Sequence, residues 1–255
     1  MNNLTKISKQ KIESYLGLPS EIIFFEETES TNDYAKKIIR EAPDDGTIII
    51  AAAQTKGRGQ YGRAFHSPES GIYLTIIRKN FNSELVTIFV AVKTAEAIEE
   101  LTGLKISVKW VNDLILNSKK VGGILTESTF FGEDKYTIIG VGINFTEPIG
   151  GFPHDIKDIA GALFKDEPTV CISKLTAAIA NKIITESINE DIIFKYKTKL
   201  YNLNEAVYYN EEKVIVNDVS PKGELVLLKE NAEKIILTSP SMFLTKNFSK
   251  KLCNQ

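Results

Sequence analysis

Seven residues from Thr47 to Ala53 carry no charge and a single hydroxyl, and they run straight into Gln54-Thr55-Lys56-Gly57-Arg58-Gly59-Gln60-Tyr61-Gly62-Arg63. A short, bounded apolar run centred on Ile48, Ile49 and Ile50 reads as a strand buried on both faces. Such a strand exists only inside a layered domain, so it delivers the loop from the core to the surface. Glycines 57, 59 and 62 fit the pattern G-x-G-x-x-G. In dinucleotide-binding folds that pattern opens a helix, because the pyrophosphate sits on the helix N-terminus. Here the chain continues Ala64-Phe65-His66-Ser67-Pro68 with no amphipathic period, and Pro68 breaks a helix. The pattern G-x-x-x-x-G-K-[ST] fails as well, since Arg63-Ala64 follows Gly62. What remains is a cationic loop: Lys56, Arg58 and Arg63, with no acidic residue between Asp45 and Glu69. Glycines let backbone N–H groups approach an anion, and arginines offer forked donors to phosphate or carboxylate. A solvated surface turn is the plainer alternative.

The flanking sequence supplies the rest of the domain. Ser30-Thr31-Asn32-Asp33 opens a helical pattern continued by Ala35, Ile38, Ile39 and Ala42. Strands are expected over 72–78, 106–111, 121–127 and 136–145. Helices are expected over 84–101, closed by Gly103, and over 172–188 and 191–200. Residues 1–20 hold at most one short helix. Beyond about residue 200 the texture changes to short strands at 207–209, 214–216, 225–228 and 235–237. Asn217-Asp218, Pro221 to Gly223 and Glu230-Asn231 are read as their turns. The expected layout is α+β: a catalytic domain over 1–199 with a central mixed β-sheet flanked by helices, then a small β domain over 200–255.

Composition removes several classes of function. A formal net charge of -2 gives no global field for nucleic acid, and residues 1–20 are too short for a helix-turn-helix domain. The two cysteines, Cys171 and Cys253, and the two histidines, His66 and His154, are too scattered for a disulfide framework or a metal site. The opening residues lack a signal peptide's apolar core, and no apolar run approaches the ~20 residues of a membrane helix, so a cytoplasmic protein without membrane contact is expected.

A second constellation lies at Lys109-Trp110-Val111-Asn112-Asp113, with Lys120 seven residues further on and then Val121-Gly122-Gly123-Ile124-Leu125. Two strands joined by an Asn117-Ser118 turn would bring Lys109, Asp113 and Lys120 together. A lysine beside an aspartate suits a charged intermediate or an incoming amine; a hairpin with a surface salt bridge explains the same residues.

Together the motifs resemble the biotin protein ligases: S-T-N at Ser30 to Asn32, Q-T-x-G-R-G at Gln54 to Gly59, K-W-x-N-D-L at Lys109 to Leu114, K-x-x-G-I-L at Lys120 to Leu125, and G-x-G-I-N at Gly140 to Asn144. The likeness is fullest over about 22–145. It implies a monofunctional ligase without an N-terminal DNA-binding domain, with an SH3-like C-terminal β domain. Biotin and ATP, the latter with Mg²⁺, would give biotinyl-5'-AMP, which would pass biotin to a lysine on the biotin carrier domain of a carboxylase. No specific DNA partner is implied, and either a monomer or a homodimer fits.

Carried over residue by residue, the resemblance makes Lys120, Arg58 and Asp113 catalytic. Ser30, Thr31, Asn32, Gln54, Gly57, Arg58, Gly59, Gln60, Lys120, Gly122 and Gly123 would bind biotin. Arg58, Arg63, Lys109, Trp110, Asn112, Lys120 and Asn144 would bind the nucleotide, and no residue would serve as a metal ligand. Ser30 also reads as a helix cap, with Asp33 three residues on. Trp110 reads equally well as core. The chain departs from the family pattern at Val111, where proline is usual, at Gln60, where arginine is usual, and at Phe65, where tryptophan is usual. A lipoate protein ligase, and a biotin-binding or sensing protein without catalysis, are the alternatives.

Overall fold

The computed structural model describes residues 4–239. Cys253 and the last part of the expected 200–255 domain lie outside the described residues. The central layer is a mixed sheet of seven strands in the order β1-β2-β3-β7-β6-β5-β4. These are β1 Ile22–Thr28, β2 Ile48–Gln54, β3 Gly71–Lys79, β4 Ser107–Lys109, β5 Asp113–Leu116, β6 Lys119–Phe131 and β7 Asp134–Asn144. Only β1 and β2 pair in parallel; the other neighbours are antiparallel. The expected strand at 47–53 is β2, and its first six residues are all buried, as the apolar run requires.

The sequence reading places no strand over 22–28, where β1 forms the sheet edge. Its tail, Glu26-Glu27-Thr28, is open to solvent, so hydrophobic continuity fades where an edge strand needs charge. The strand expected over 106–111 is also shorter, because Trp110 to Asn112 form the turn between β4 and β5.

Helices α1 Lys9–Tyr15, α3 Val86–Thr102, α4 Ile172–Thr185 and α5 Ile192–Thr198 cover one face of the sheet, and α2 Thr31–Ile38 covers the other. Helix α3 is apolar almost all round, the mark of a helix with neighbours on every side. Phe89, Val90, Ala91, Val92, Ala95, Ala97 and Ile98 are fully buried. Its one buried cation, Lys93, pairs with Glu96 at 2.8 Å and Glu186 at 2.7 Å, which a charge removed from water requires. Gly103 closes α3 in the left-handed conformation, as its position in the sequence predicts.

Strands β8 Ala206–Tyr209, β9 Glu212–Val219, β10 Leu225–Lys229 and β11 Lys234–Leu237 form an antiparallel meander of four. Asn217-Asp218 is not a turn. Both residues lie in β9, where a register shift opposite Val226 and Leu227 leaves Asn217 unpaired. The β8–β9 turn is Asn210-Glu211 instead, both with positive φ, as a two-residue hairpin demands. Val207, Val216, Leu225 and Leu227 join the same continuous core as α3, so the small sheet packs directly on the larger unit.

The contact is specific at Gly223. Its carbonyl accepts the Trp110 indole N–H at 2.9 Å, and a Cβ there would lie 2.7 Å from Ile88 Cδ1. Its φ of +84 is also unfavourable for any other residue. Gly223→Ala is therefore expected to cost about 1–3 kcal/mol in chemical denaturation. Emission from the sole tryptophan should shift to longer wavelength as its partner carbonyl moves away.

Candidate active site

Side-chain alternation along β7 turns Ile139, Val141 and Ile143 toward α3 and α4, and Tyr136, Ile138, Gly140 and Gly142 toward α2. Gly123 on β6 stands directly opposite Gly142. The α2 face of the sheet thus carries a strip without side chains, and other groups descend onto it. A Cβ at Gly140 would collide with the Asn32 carboxamide, and one at Gly142 would lie 2.7 Å from the Phe65 ring.

The N-terminus of α2 is fixed above this strip by buried polar groups. Ser30 caps the helix by accepting from the Asp33 N–H at 3.3 Å. Gln54, at the end of β2, accepts from the Thr31 N–H at 2.9 Å and from its hydroxyl at 3.1 Å, while its own amide donates to Ser67 at 3.0 Å. Thr75 donates to Asn32 Oδ1 at 2.7 Å. Ser30, Thr31, Asn32, Ser67 and Thr75 are all buried and Gln54 is half-buried, so most of the network is withdrawn from solvent and rigid. The structure brings Ser30, Thr31, Asn32 and Gln54 together as the sequence predicts. It adds Ser67 and Thr75, which no motif contains. Gly57 belongs to the same cluster, since a Cβ there would strike Ser67 and the Phe65 carbonyl.

The second constellation also assembles. Strands β5 and β6 are joined by Asn117-Ser118, both with positive φ, and Lys109 pairs with Asp113 across β4 and β5. The register of β5 on β6 runs Asp113 with Gly123, Leu114 with Gly122, then Ile115 with Lys120. The residue skipped at this irregularity is Val121. A bulge of this kind re-aims a side chain, and here it brings Lys120 to the side of Gly123. Lys120 Nζ lies 2.6 Å from Asp113 Oδ1, and a Cβ on Gly123 would stand 3.6 Å from the ammonium. Both side chains remain partly open, at 36% and 26% exposure, so the pair is accessible to a reactant.

Other expected site residues take different places. Gly122 faces the core side, where a Cβ would meet the Gly142 carbonyl at 2.7 Å; its role is close strand packing. Asn112 donates to the Ile124 carbonyl at 3.0 Å and holds the β4–β5 turn. Trp110 is tied to Gly223. Asn144 donates to the Gly161 carbonyl at 2.7 Å, and the same turn is bound by the Lys120 backbone through Ile159 O at 2.7 Å and Gly161 N at 2.9 Å.

The glycine-rich loop folds back on itself, with Phe65 N–H donating to the Gly57 carbonyl at 2.9 Å and Gly59 N–H to the Arg63 carbonyl at 2.7 Å. Gln60 to Gly62 form a single 3₁₀ turn, so no α-helix starts within the motif. Lys56 pairs with Glu29 at 2.7 Å, and this contact holds the Glu29 carboxyl below its ordinary range. Tyr61 bonds to Ser239 at 2.7 Å, linking the loop to the end of the small sheet. Arg58 is held by two carboxylates, Asp33 at 2.5 Å and Glu127 at 3.2 Å. Neither appears in the motif-based site. Asp33 reads in the sequence as part of a cap, and Glu127 as an ordinary strand residue.

Residues 24–144 match the model of the Biotin/lipoate A/B protein ligase family. Among relatives, the chain is 34% identical over 170 residues to the bifunctional ligase/repressor BirA of Bacillus subtilis, covering 62% of this chain and 51% of that one. It is 30% identical over 167 residues to the human biotin--protein ligase, covering 60% of this chain and 20% of that one. The chain thus spans about half the length of the bacterial relative and a fifth of the human one. A solved biotin protein ligase from Aquifex aeolicus, in complex with biotin and ATP, superposes with a TM-score of 0.71 and 29% identity, covering 89% of this chain and 99% of that one. Among the described residues no helix is long and apolar enough to cross a membrane, and no group of three or more His, Cys, Asp or Glu could hold a metal ion.

Burial alone would raise the Glu127 carboxyl, but Lys36, Asn32 and Arg58 outweigh it and hold it below its ordinary 4.5. A depressed carboxylate stabilises the fold above its unfolded pKa, and that contribution is lost as pH falls through the folded value. The melting-temperature difference between wild type and Glu127→Gln is therefore expected to be fully present near neutral pH. It should shrink as pH falls below about 4.5.

Proposed function

We propose that this chain is an ATP-dependent biotin protein ligase, acting through the Lys120–Asp113 pair beside the glycine strip of β6 and β7. The carrying observation is that pair: a lysine brought by a bulge to within 2.6 Å of an aspartate, beside Gly123 on the α2 face of the sheet. The likeness to an Aquifex enzyme solved with biotin and ATP supports biotin and ATP as the small substrates. On this reading residues 1–199 are the catalytic domain and 200–255 the small one.

In the first half-reaction the biotin carboxylate attacks the α-phosphate of MgATP, and pyrophosphate leaves. Two anions approach one another, so a fixed cation at the meeting point lowers the barrier, and Lys120 supplies it. Magnesium enters as the counter-ion of the triphosphate substrate. In the second, a lysine amine attacks the acyl carbon of biotinyl-5'-AMP and AMP leaves. Asp113 orients the amine and accepts the proton that its nitrogen loses as the C–N bond forms and the acyl C–O bond to AMP breaks. Ser30, Thr31, Asn32 and Gln54 shape the ring end of the biotin site, and Gly57, Gly59 and Gln60 form the loop over it. Lys109, Trp110, Asn112 and Asn144 frame the nucleotide side, through turns that they hold in place, and Arg63 lies in the phosphate loop. The acceptor is a biotin carrier domain, and the compartment is the cytoplasm.

Incubation with biotin, MgATP and a carrier domain, read by intact mass, tests the proposal: one biotin should be added, and only with ATP. No addition with ATP, or equal addition without it, overturns it. Lys120→Ala is expected to slow single-turnover pyrophosphate release by about 10²–10³-fold with the melting temperature retained. Gln60→Arg adds a cation to the loop and should slow dissociation of preformed adenylate severalfold, for about 1 kcal/mol of added interaction. It should leave binding of free biotin unchanged.

A further inference from the structure

Arg58 offers five N–H donors in a rigid fork. Nε donates to Asp33 Oδ2 at 3.0 Å and Nη2 to Asp33 Oδ1 at 2.5 Å, the side-on geometry that a guanidinium and a carboxylate share. Nη2 also reaches Glu127 Oε2 at 3.2 Å. Both acceptors are themselves fixed. Asp33 stands in the first turn of α2, whose cap is Ser30. Glu127, on β6, accepts from the buried Asn32 at 3.0 Å and from Lys36 at 2.6 Å. Asn32 in turn lies on Gly140, so the chain of contacts runs from the sheet floor to the loop.

A guanidinium held by two carboxylates has its charge compensated before any phosphate arrives. The same contacts tie the outgoing arm of the glycine-rich loop to α2 and to β6. We infer that Arg58 is the anchor of the glycine-rich loop, with Asp33 and Glu127 as its positioning residues, and that it acts on the adenylate by holding the loop in place, not as a phosphate ligand. This inference rests on the ligase reading for its effect on the adenylate, but the anchoring itself does not.

Two measurements separate the roles in Asp33→Asn, Glu127→Gln, Arg58→Met and the Arg58→Met/Asp33→Asn double variant. The first is the rate of tryptic cleavage within residues 56–63 of the ligand-free protein, which needs no ligase activity. Measured well below the melting transition of every variant, cleavage should rise in Asp33→Asn and Glu127→Gln, and Asp33→Glu should restore it toward wild type. The second is dissociation of preformed adenylate. Each single variant should speed it by about two- to fivefold, and the double variant should be no faster than Arg58→Met alone. If Asp33→Asn slows dissociation, the carboxylate competes with phosphate for Arg58 and the inference fails. It fails equally if the double variant shows the product of the two single effects, or if loop cleavage is unchanged. Absence of adenylate in the wild type would instead overturn the ligase reading and leave the cleavage result to decide the anchor.

Discussion

The site depends on a strip of sheet that has no side chains. Gly140 and Gly142 on β7, and Gly123 beside them on β6, keep the α2 face at backbone level. Everything above is set by what that absence admits: the Asn32 carboxamide over Gly140, the Phe65 ring over Gly142, and the Lys120 ammonium near Gly123. A methyl group at 140 or 142 would push against a side chain that is held by its own hydrogen bonds or packing. The helix cap and the returning arm of the glycine-rich loop therefore meet at one level because Gly140 and Gly142 let them.

Charge around this strip is balanced locally. Lys56 faces Glu29, Arg58 faces Asp33 and Glu127, and Lys120 faces Asp113. These pairs are partly exposed, so each contributes little to stability on its own. Their value is directional. The Asp33 and Glu127 carboxylates fix a guanidinium that would otherwise move with a loop rich in glycine. The Asp113 carboxylate holds the ammonium of Lys120 on the open side of the sheet. The buried pair of Lys93 with Glu96 and Glu186 works differently, since it serves only to make α3 compatible with the core.

Much of this was legible in the sequence, where a local rule and the tertiary structure agree. The apolar run before Gln54, the Ser30 cap, the Asn117-Ser118 turn and the Lys120–Asp113 approach all follow from spacing and residue type. The edge strand β1 was not legible, because its exposed half carries glutamates. Asn217 was misread, because an asparagine that interrupts apolar residues looks the same in a turn and in a bulge. Ser67, Thr75 and Glu127 escaped for another reason. Thr75 and Glu127 meet partners distant in sequence, with 95 residues separating Glu127 from Asn32, while Ser67 meets Gln54 only because the loop folds back on the end of β2. Gly122 and Gly123 were read alike as ligand contacts, yet adjacent strand residues face opposite sides, and only Gly123 looks onto the site.

The bulge between β5 and β6 carries a consequence for how such a chain can change over time. With Val121 skipped, the face on which Lys120 emerges is a matter of parity. Were Val121 taken into a regular ladder, Lys120 would stand three places from Gly123 and face the opposite side of the sheet. Loss of Val121 would leave it two places away, still opposite Ile115 and still on the side of Gly123. The lysine is thus insensitive to a shortening at the bulge and sensitive to a slip of register that absorbs it.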